Sequence, residues 1–339
     1  MSPKDLAATA RVLVAAGKGI LAADESNPTI EQRLRGIGVP SSEQARHDYR
    51  EMLLTTPRLG EYISGVILFD ETLRQKTADG TRFVEVLQRQ NILPGIKVDA
   101  GAKPLAGFEG DKITEGLDSL RARLAEYARL GARFTKWRAV FTIGPDIPSH
   151  PCIAANAHAL ARFAALSQEA GLVPIVEPEV LMDGDHPIER HGAVTVDAQR
   201  AVFSALAEHR VRLDGMLLKP NMILPGTNSP EAASVGDVAT ETLRCLKLAV
   251  PAAVPGIVFL SGGQSDIRAT EHLDALNRLG SAPWELSFSF GRALQAPALK
   301  MWAGKKENVA AAQKALLHRA ACNSAARRGA YTADVERRA

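Results

Sequence analysis

Cysteine is scarce in this chain of 339 residues: Cys152, Cys245 and Cys322 are an odd number without CxxC spacing. That excludes a disulfide framework and fits a reducing compartment. Long apolar runs are missing as well. No segment approaches the roughly eighteen uncharged apolar residues of a membrane span, and Met1-Ser2-Pro3-Lys4-Asp5-Leu6 lacks the apolar stretch of a secretory leader. A cytoplasmic protein with no membrane partner is expected. Neither sign of charge dominates: Lys and Arg number 41, Asp and Glu 38, for a net +3. No field for a polyanion follows, so nucleic acid is not an expected partner. Arg327, Arg328, Arg337 and Arg338 crowd the C-terminus, but Asp334 and Glu336 interrupt them. Residues 329–339 therefore read as a flexible, solvated tail.

Metal and nucleotide signatures are also absent. The eight histidines show no HExxH or equivalent spacing, and His186 and His191, flanking an acidic loop, read as surface residues. No metal is expected. Leu260-Ser261-Gly262-Gly263-Gln264 spells the ATP-binding-cassette signature, but the GxxxxGK[ST] loop such proteins need is missing.

What the chain does have is a repeated short apolar run ending in polar residues. Eight occur: Gly19 to Asp24, Ile63 to Asp70, Gly95 to Asp99, Phe134 to Arg138, Val173 to Glu179, Met216 to Asn221, Ile257 to Gly263 and Trp284 to Arg292. They lack polar alternation, as strands buried on both faces do. Helical periodicity fills the intervals, for example over Leu117 to Leu130, Ala154 to Ala170 and Arg268 to Leu279. Eight such units predict a (β/α)8 TIM barrel. Additional N- and C-terminal helices are expected over Lys4 to Ala16 and Lys305 to Arg328. No linker or repeat divides residues 1–339, so one domain is expected.

In such a barrel the catalytic groups sit at the carboxyl ends of the strands. Those positions hold Asp24, Lys97, Asp99, Lys136, Arg138, Glu177, Glu179, Lys219, Ser261, Gly262, Gly263, Ser289, Gly291 and Arg292. Burial and neighbouring positive charge favour the neutral form of a lysine. A neutral amine can attack a carbonyl and form a Schiff base, and Lys219, closing Met216-Leu217-Leu218-Lys219-Pro220-Asn221, is the foremost candidate. The carboxylates Asp24, Glu177 and Glu179 supply proton traffic; Glu177 is preferred as acid/base and Glu179 as an ion-pair partner to a lysine. Ser261-Gly262-Gly263 and Gly291-Arg292 follow the last two strands, the usual phosphate site of this architecture. Lys97, Lys136, Arg138 and Arg292 would attract an anionic substrate.

These runs resemble class I fructose-bisphosphate aldolases over nearly the whole chain. The resemblance rests on Gly17 to Ser26, Gly95 to Asp99, Lys136-Trp137-Arg138, Val176-Glu177-Pro178-Glu179, Leu217 to Met222, Leu260 to Ser265, Gly291 to Gln295 and Gly304 to Asn308. It implies reversible cleavage of fructose 1,6-bisphosphate into dihydroxyacetone phosphate and glyceraldehyde 3-phosphate, in glycolysis and gluconeogenesis. Lys219 would carry the Schiff base, Glu177 the acid/base role, and Lys136 would polarise the developing charge. Asp24 would take the C4 hydroxyl proton. One phosphate would meet Ser261, Gly262, Ser289, Gly291 and Arg292, helped by Arg33; the other would meet Ser26, Lys97 and Arg138. Thr29 stands where a second phosphate-binding serine is usual, and Arg46 lies in the same region. No cofactor or metal is implied, and a homotetramer is. The family's terminal tyrosine for the C3 proton has no counterpart, since the chain ends Arg337-Arg338-Ala339 and Tyr331 matches an earlier position. A lysine-dependent aldolase for another phosphorylated ketose and a non-catalytic scaffold are the alternatives.

Overall fold

The computed structural model describes residues 3–337. The eight runs form eight parallel strands closed into one barrel, each paired with its neighbours in sequence. They are β1 (Gly19–Ala23), β2 (Ile63–Leu68), β3 (Leu93–Lys97), β4 (Phe134–Phe141), β5 (Val173–Val180), β6 (Leu217–Leu218), β7 (Gly256–Phe259) and β8 (Glu285–Phe290). β8 closes onto β1 in the register Ile20 to Ser289 and Leu21 to Phe290. The barrel and helical units confirm the (β/α)8 expectation. β1, β2 and β5 are buried at every position, which is why their sequences show no alternation. β4 runs three residues past its expected end at Arg138, because its ladder with β5 continues to Phe141 and Val180.

The amino ends of the strands are sealed by apolar packing. The N-terminal helix Pro3–Leu13 brings Leu6, Ala10 and Leu13 into one cluster with Ile20, Ile67, Phe134, Ile175, Leu217 and Val258. Room for the Phe134 ring comes from Gly95, where a Cβ would stand 2.3 Å from a ring carbon. The C-terminal helix Val309–Ala326 ends at Arg327, whose guanidinium donates to the carbonyls of Val14, Ala15 and Lys18 and pairs with Glu285 at 2.8 Å.

The segment expected to be a loose tail makes specific contacts over its described residues. The chain turns at Gly329, with φ +63°, and Tyr331 is buried, its N–H donating to Asp274 at 2.8 Å. The short helix Ala333–Arg337 then places Glu336 against Arg319 and the Tyr331 hydroxyl. A buried guanidinium with one good carboxylate partner on the tail is enough to dock it. The end of the expected tail, 338–339, lies outside the described residues. Among the described residues no helix is long and apolar enough to cross a membrane.

Candidate active site

The barrel's carboxyl end gathers charge from five strands. Asp24 follows β1, Lys97 ends β3, Lys136 lies in β4, Glu177 in β5, and Lys219 follows β6. Asp24, Lys136, Glu177 and Lys219 are all buried. Lys136 Nζ lies 2.9 Å from Asp24 Oδ2 and 3.0 Å from Glu177 Oε2, while Lys219 Nζ lies 3.2 Å from Glu177 Oε1. Glu177 Oε2 accepts no hydrogen bond, so Lys136 meets it as a charge rather than as an aligned donor. Two cations and two carboxylates thus form one chain from β1 to β6, with no net charge when all are ionised.

The two lysines differ in their surroundings. Burial opposes the charge of Lys136, but Asp24, Glu177 and Asp99 outweigh it and hold its pKa well above that of an ordinary ammonium. Burial would likewise raise the Asp24 carboxyl; Lys136 and Lys219, with Lys97 behind them, hold it far below the usual carboxylate range. The attraction between them therefore favours the charged forms of both Lys136 and Asp24. Lys219 has one carboxylate beside it and the Lys136 charge across it.

A second tier surrounds this chain. Lys97 Nζ is 2.6 Å from Asp99 Oδ1, and Asp99 Oδ2 accepts from the Arg138 N–H at 3.2 Å. The Arg138 guanidinium pairs with Glu179, and despite the cost of burial that carboxylate, with Glu177 and Asp99, raises its pKa. Glu179 thus pairs with an arginine, where a lysine partner was expected. At the other side of the mouth, the Arg292 guanidinium donates to the Gly262 carbonyl, and Gly263 lies against Met182. Gly262 has φ +55°, a conformation glycine adopts without strain. Ser261 and Ser289 are buried, and Ser289 Oγ has no hydrogen-bond partner. Arg33 reaches the same place: a Cβ on Gly291 would stand 3.7 Å from its Nη2. Ser26 Oγ and Thr29 Oγ1 are 3.2 Å apart on the first turn of the helix Asn27–Arg35. Arg46 stands apart, bound to Glu71 at 2.9 and 2.5 Å and to the Ser41 carbonyl.

The model of the class-I fructose-bisphosphate aldolase family matches residues 5–339. This chain belongs to that family. It is 57% identical over 332 residues to a probable fructose-bisphosphate aldolase class 1 of Xanthomonas campestris, covering 98% of this chain and 99% of that one. It is 54% identical over 329 residues to the cytoplasmic isozyme of Cicer arietinum, covering 96% and 91%. A solved Plasmodium falciparum aldolase, in complex with TRAP and a small-molecule inhibitor, superposes with a TM-score of 0.96 at 49% identity, over 97% and 95% of the two chains. Class I aldolases are lyases of the Schiff-base, metal-independent type.

Within the aldolase frame, several residues beside the mouth escape sequence reasoning. Glu25, next to Asp24, turns the other way and is buried between Arg33 and Arg50, the latter at 2.7 Å, with Gln295 at 2.8 Å. Tyr49 donates to that same Gln295 at 2.8 Å. His186 and His191, expected at the surface, are buried. His191 Nδ1 accepts from the Leu224 N–H at 2.9 Å, and its Nε2 lies 3.1 Å from the Val180 carbonyl. Burial lowers its pKa to about 4. Asn221, two residues past Lys219, bonds Val180 N–H at 2.9 Å and so ties the Lys219 and Glu179 strands together. The only local signal for it was its place in the Lys-Pro-Asn run.

Proposed function

We propose that this chain cleaves fructose 1,6-bisphosphate reversibly through a Schiff base on Lys219. The observation that carries the reading is the 3.2 Å separation of Lys219 and Glu177. One proton passing from the ammonium to the carboxylate makes a nucleophilic amine and a carboxylic acid together, with no change in the cluster's net charge. The amine attacks the C2 ketone. Glu177 returns its proton to the C2 oxygen, then takes a second proton from the attached nitrogen and passes it to the resulting hydroxyl, which leaves as water and yields the iminium. Lys136, held charged, stabilises the developing alkoxide. Asp24, held ionised, accepts the C4 hydroxyl proton as the C3–C4 bond breaks and glyceraldehyde 3-phosphate departs. The electron pair flows to the iminium nitrogen; protonation at C3 by Glu177 or an ordered water, then hydrolysis, releases dihydroxyacetone phosphate.

The substrate's two phosphates explain the two outer tiers. One takes Ser261, Gly262, Gly263, Ser289, Gly291 and Arg292 with Arg33, where the unpartnered Ser289 hydroxyl would find an acceptor. The other takes Lys97, Ser26, Thr29 and Arg138; Arg46 contributes only to its rim. Glu179 orients Arg138. A homotetramer in the cytoplasm completes the reading, and light scattering tests the assembly.

Borohydride added with dihydroxyacetone phosphate should inactivate the protein and leave the label on Lys219. Label on Lys97 or Lys136, or none, overturns the assignment. A fructose 1-phosphate turnover exceeding that of the bisphosphate would overturn the substrate assignment while keeping the mechanism.

A further inference from the structure

Far from the Lys219 cluster in the hydrogen-bond network, the tail and the C-terminal helix bring three metal-ligating side chains together. His318 and Cys322 are one turn apart on the helix Val309–Ala326, so they share a face. The helix Ala333–Arg337 returns along it and adds Glu336. The imidazole nitrogen, thiol sulfur and carboxylate oxygen all lie within 4.8 Å of one another, and Cys322 Sγ is 3.6 Å from His318 Nε2. Bonds of about 2.3 Å to sulfur and about 2.0–2.1 Å to nitrogen, at a tetrahedral angle, separate two zinc ligands by about 3.6 Å. The helix already holds that separation.

The carboxylate is oriented from behind. Arg319 donates to its oxygens at 2.5 and 2.6 Å, and the Tyr331 hydroxyl donates at 2.6 Å. Outer hydrogen bonds of this kind fix ligating carboxylates, and a carboxylate with about four acceptor sites keeps one for a metal. Cys322 is buried while His318 and Glu336 are half-buried, which leaves one side open for a water as fourth ligand.

We propose that His318, Cys322 and Glu336 bind one zinc ion that pins the C-terminal segment to the barrel. The thiol gives its proton to solvent as the metal–sulfur bond forms, so thiolate and carboxylate together balance the dication. Sulfur and imidazole favour zinc over magnesium or calcium. The Arg319 cation opposes the ion and sets the affinity below that of an all-cysteine site.

Cobalt(II) added to the metal-free full chain should give one equivalent of a tetrahedral spectrum with a thiolate charge-transfer band, displaced by zinc. Cys322→Ser should remove that band, and His318→Ala and Glu336→Gln should each weaken zinc binding by at least about tenfold. Zinc should slow trypsin cleavage at Arg328 in the parent and not in Glu336→Gln, which keeps the helix intact if the other variants misfold. Absence of the band at millimolar cobalt overturns the proposal. So does wild-type zinc affinity in both His318→Ala and Glu336→Gln, because the thiol would then bind alone.

Discussion

The two ends of the barrel are built from the same eight strands and obey opposite rules. At the amino end, Phe134, Leu13, Ile175 and Leu217 meet in an apolar cluster that needs glycine at position 95 to close. At the carboxyl end, two residues after Phe134, Ile175 and Leu217, the side chains of Lys136, Glu177 and Lys219 bury three charges within ion-pair distance. Burying charge costs several kcal/mol per ion, which an apolar cluster avoids. One end therefore supplies stability and the other holds the groups proposed to react. The comparison predicts that variants at the two ends fail in different assays.

The largest effect belongs to Lys219→Met. It should lower kcat by roughly 10⁴–10⁶, as deletion of a nucleophile does, while the urea midpoint stays near the parent's because Glu177 retains Lys136. Glu177→Gln removes the proposed proton carrier and should lower kcat by about 10²–10⁴; carbinolamine dehydration, followed by rapid-quench trapping, should be the slowed step. At the other end, Phe134→Ala should cost about 3–5 kcal/mol of stability with kcat unchanged at low temperature. Loss of rate without loss of stability in that variant would erase the division of labour. Arg292→Ala should raise KM for the bisphosphate by about one to two decades, a charge-assisted contact being worth roughly 1.5–3 kcal/mol. Unchanged KM would move the phosphate elsewhere.

The smallest effect sharpens the boundary between the ends. His191 folds neutral, its pKa lowered to about 4 by burial. A group whose folded pKa lies below its unfolded value of about 6.5 costs nothing above that value and destabilises as pH falls toward 4. Between pH 6 and 5 it should remove about 1.2 kcal/mol, and a His191→Gln variant should lose that part of the slope in urea titrations.

The strands and the strand-end residues were legible because burial on both faces leaves an unbroken apolar run with a polar stop. Pairing was not. Asp24 and Lys136 stand 112 residues apart, and nothing local says which carboxylate meets which lysine. Glu25 stands next to Asp24 in the sequence yet takes no part in the Lys136 cluster. Successive side chains at a strand end face opposite ways, and it joined Arg33 and Arg50 instead. His191 misled for a different reason: its partners are the backbone groups of Val180 and Leu224, which leave no mark in the sequence. The contact between the tail and Arg319, on the preceding helix, leaves no mark in the local sequence, because it forms only where Glu336 folds back.

The seam between β1 and β8 has a consequence for how the protein comes into being. Gln295 donates to the Ala22 carbonyl across 273 residues of chain, at 2.5 Å, and the groups proposed for the first phosphate lie on both sides of that junction. A nascent chain on the ribosome can complete Asp24 and Lys136 early, yet it has no finished phosphate cradle until its last strand has emerged. Such long-range closure is slow compared with local helix formation. During refolding, recovery of turnover should therefore trail recovery of helical circular dichroism, making enzymatic activity a clock for ring closure.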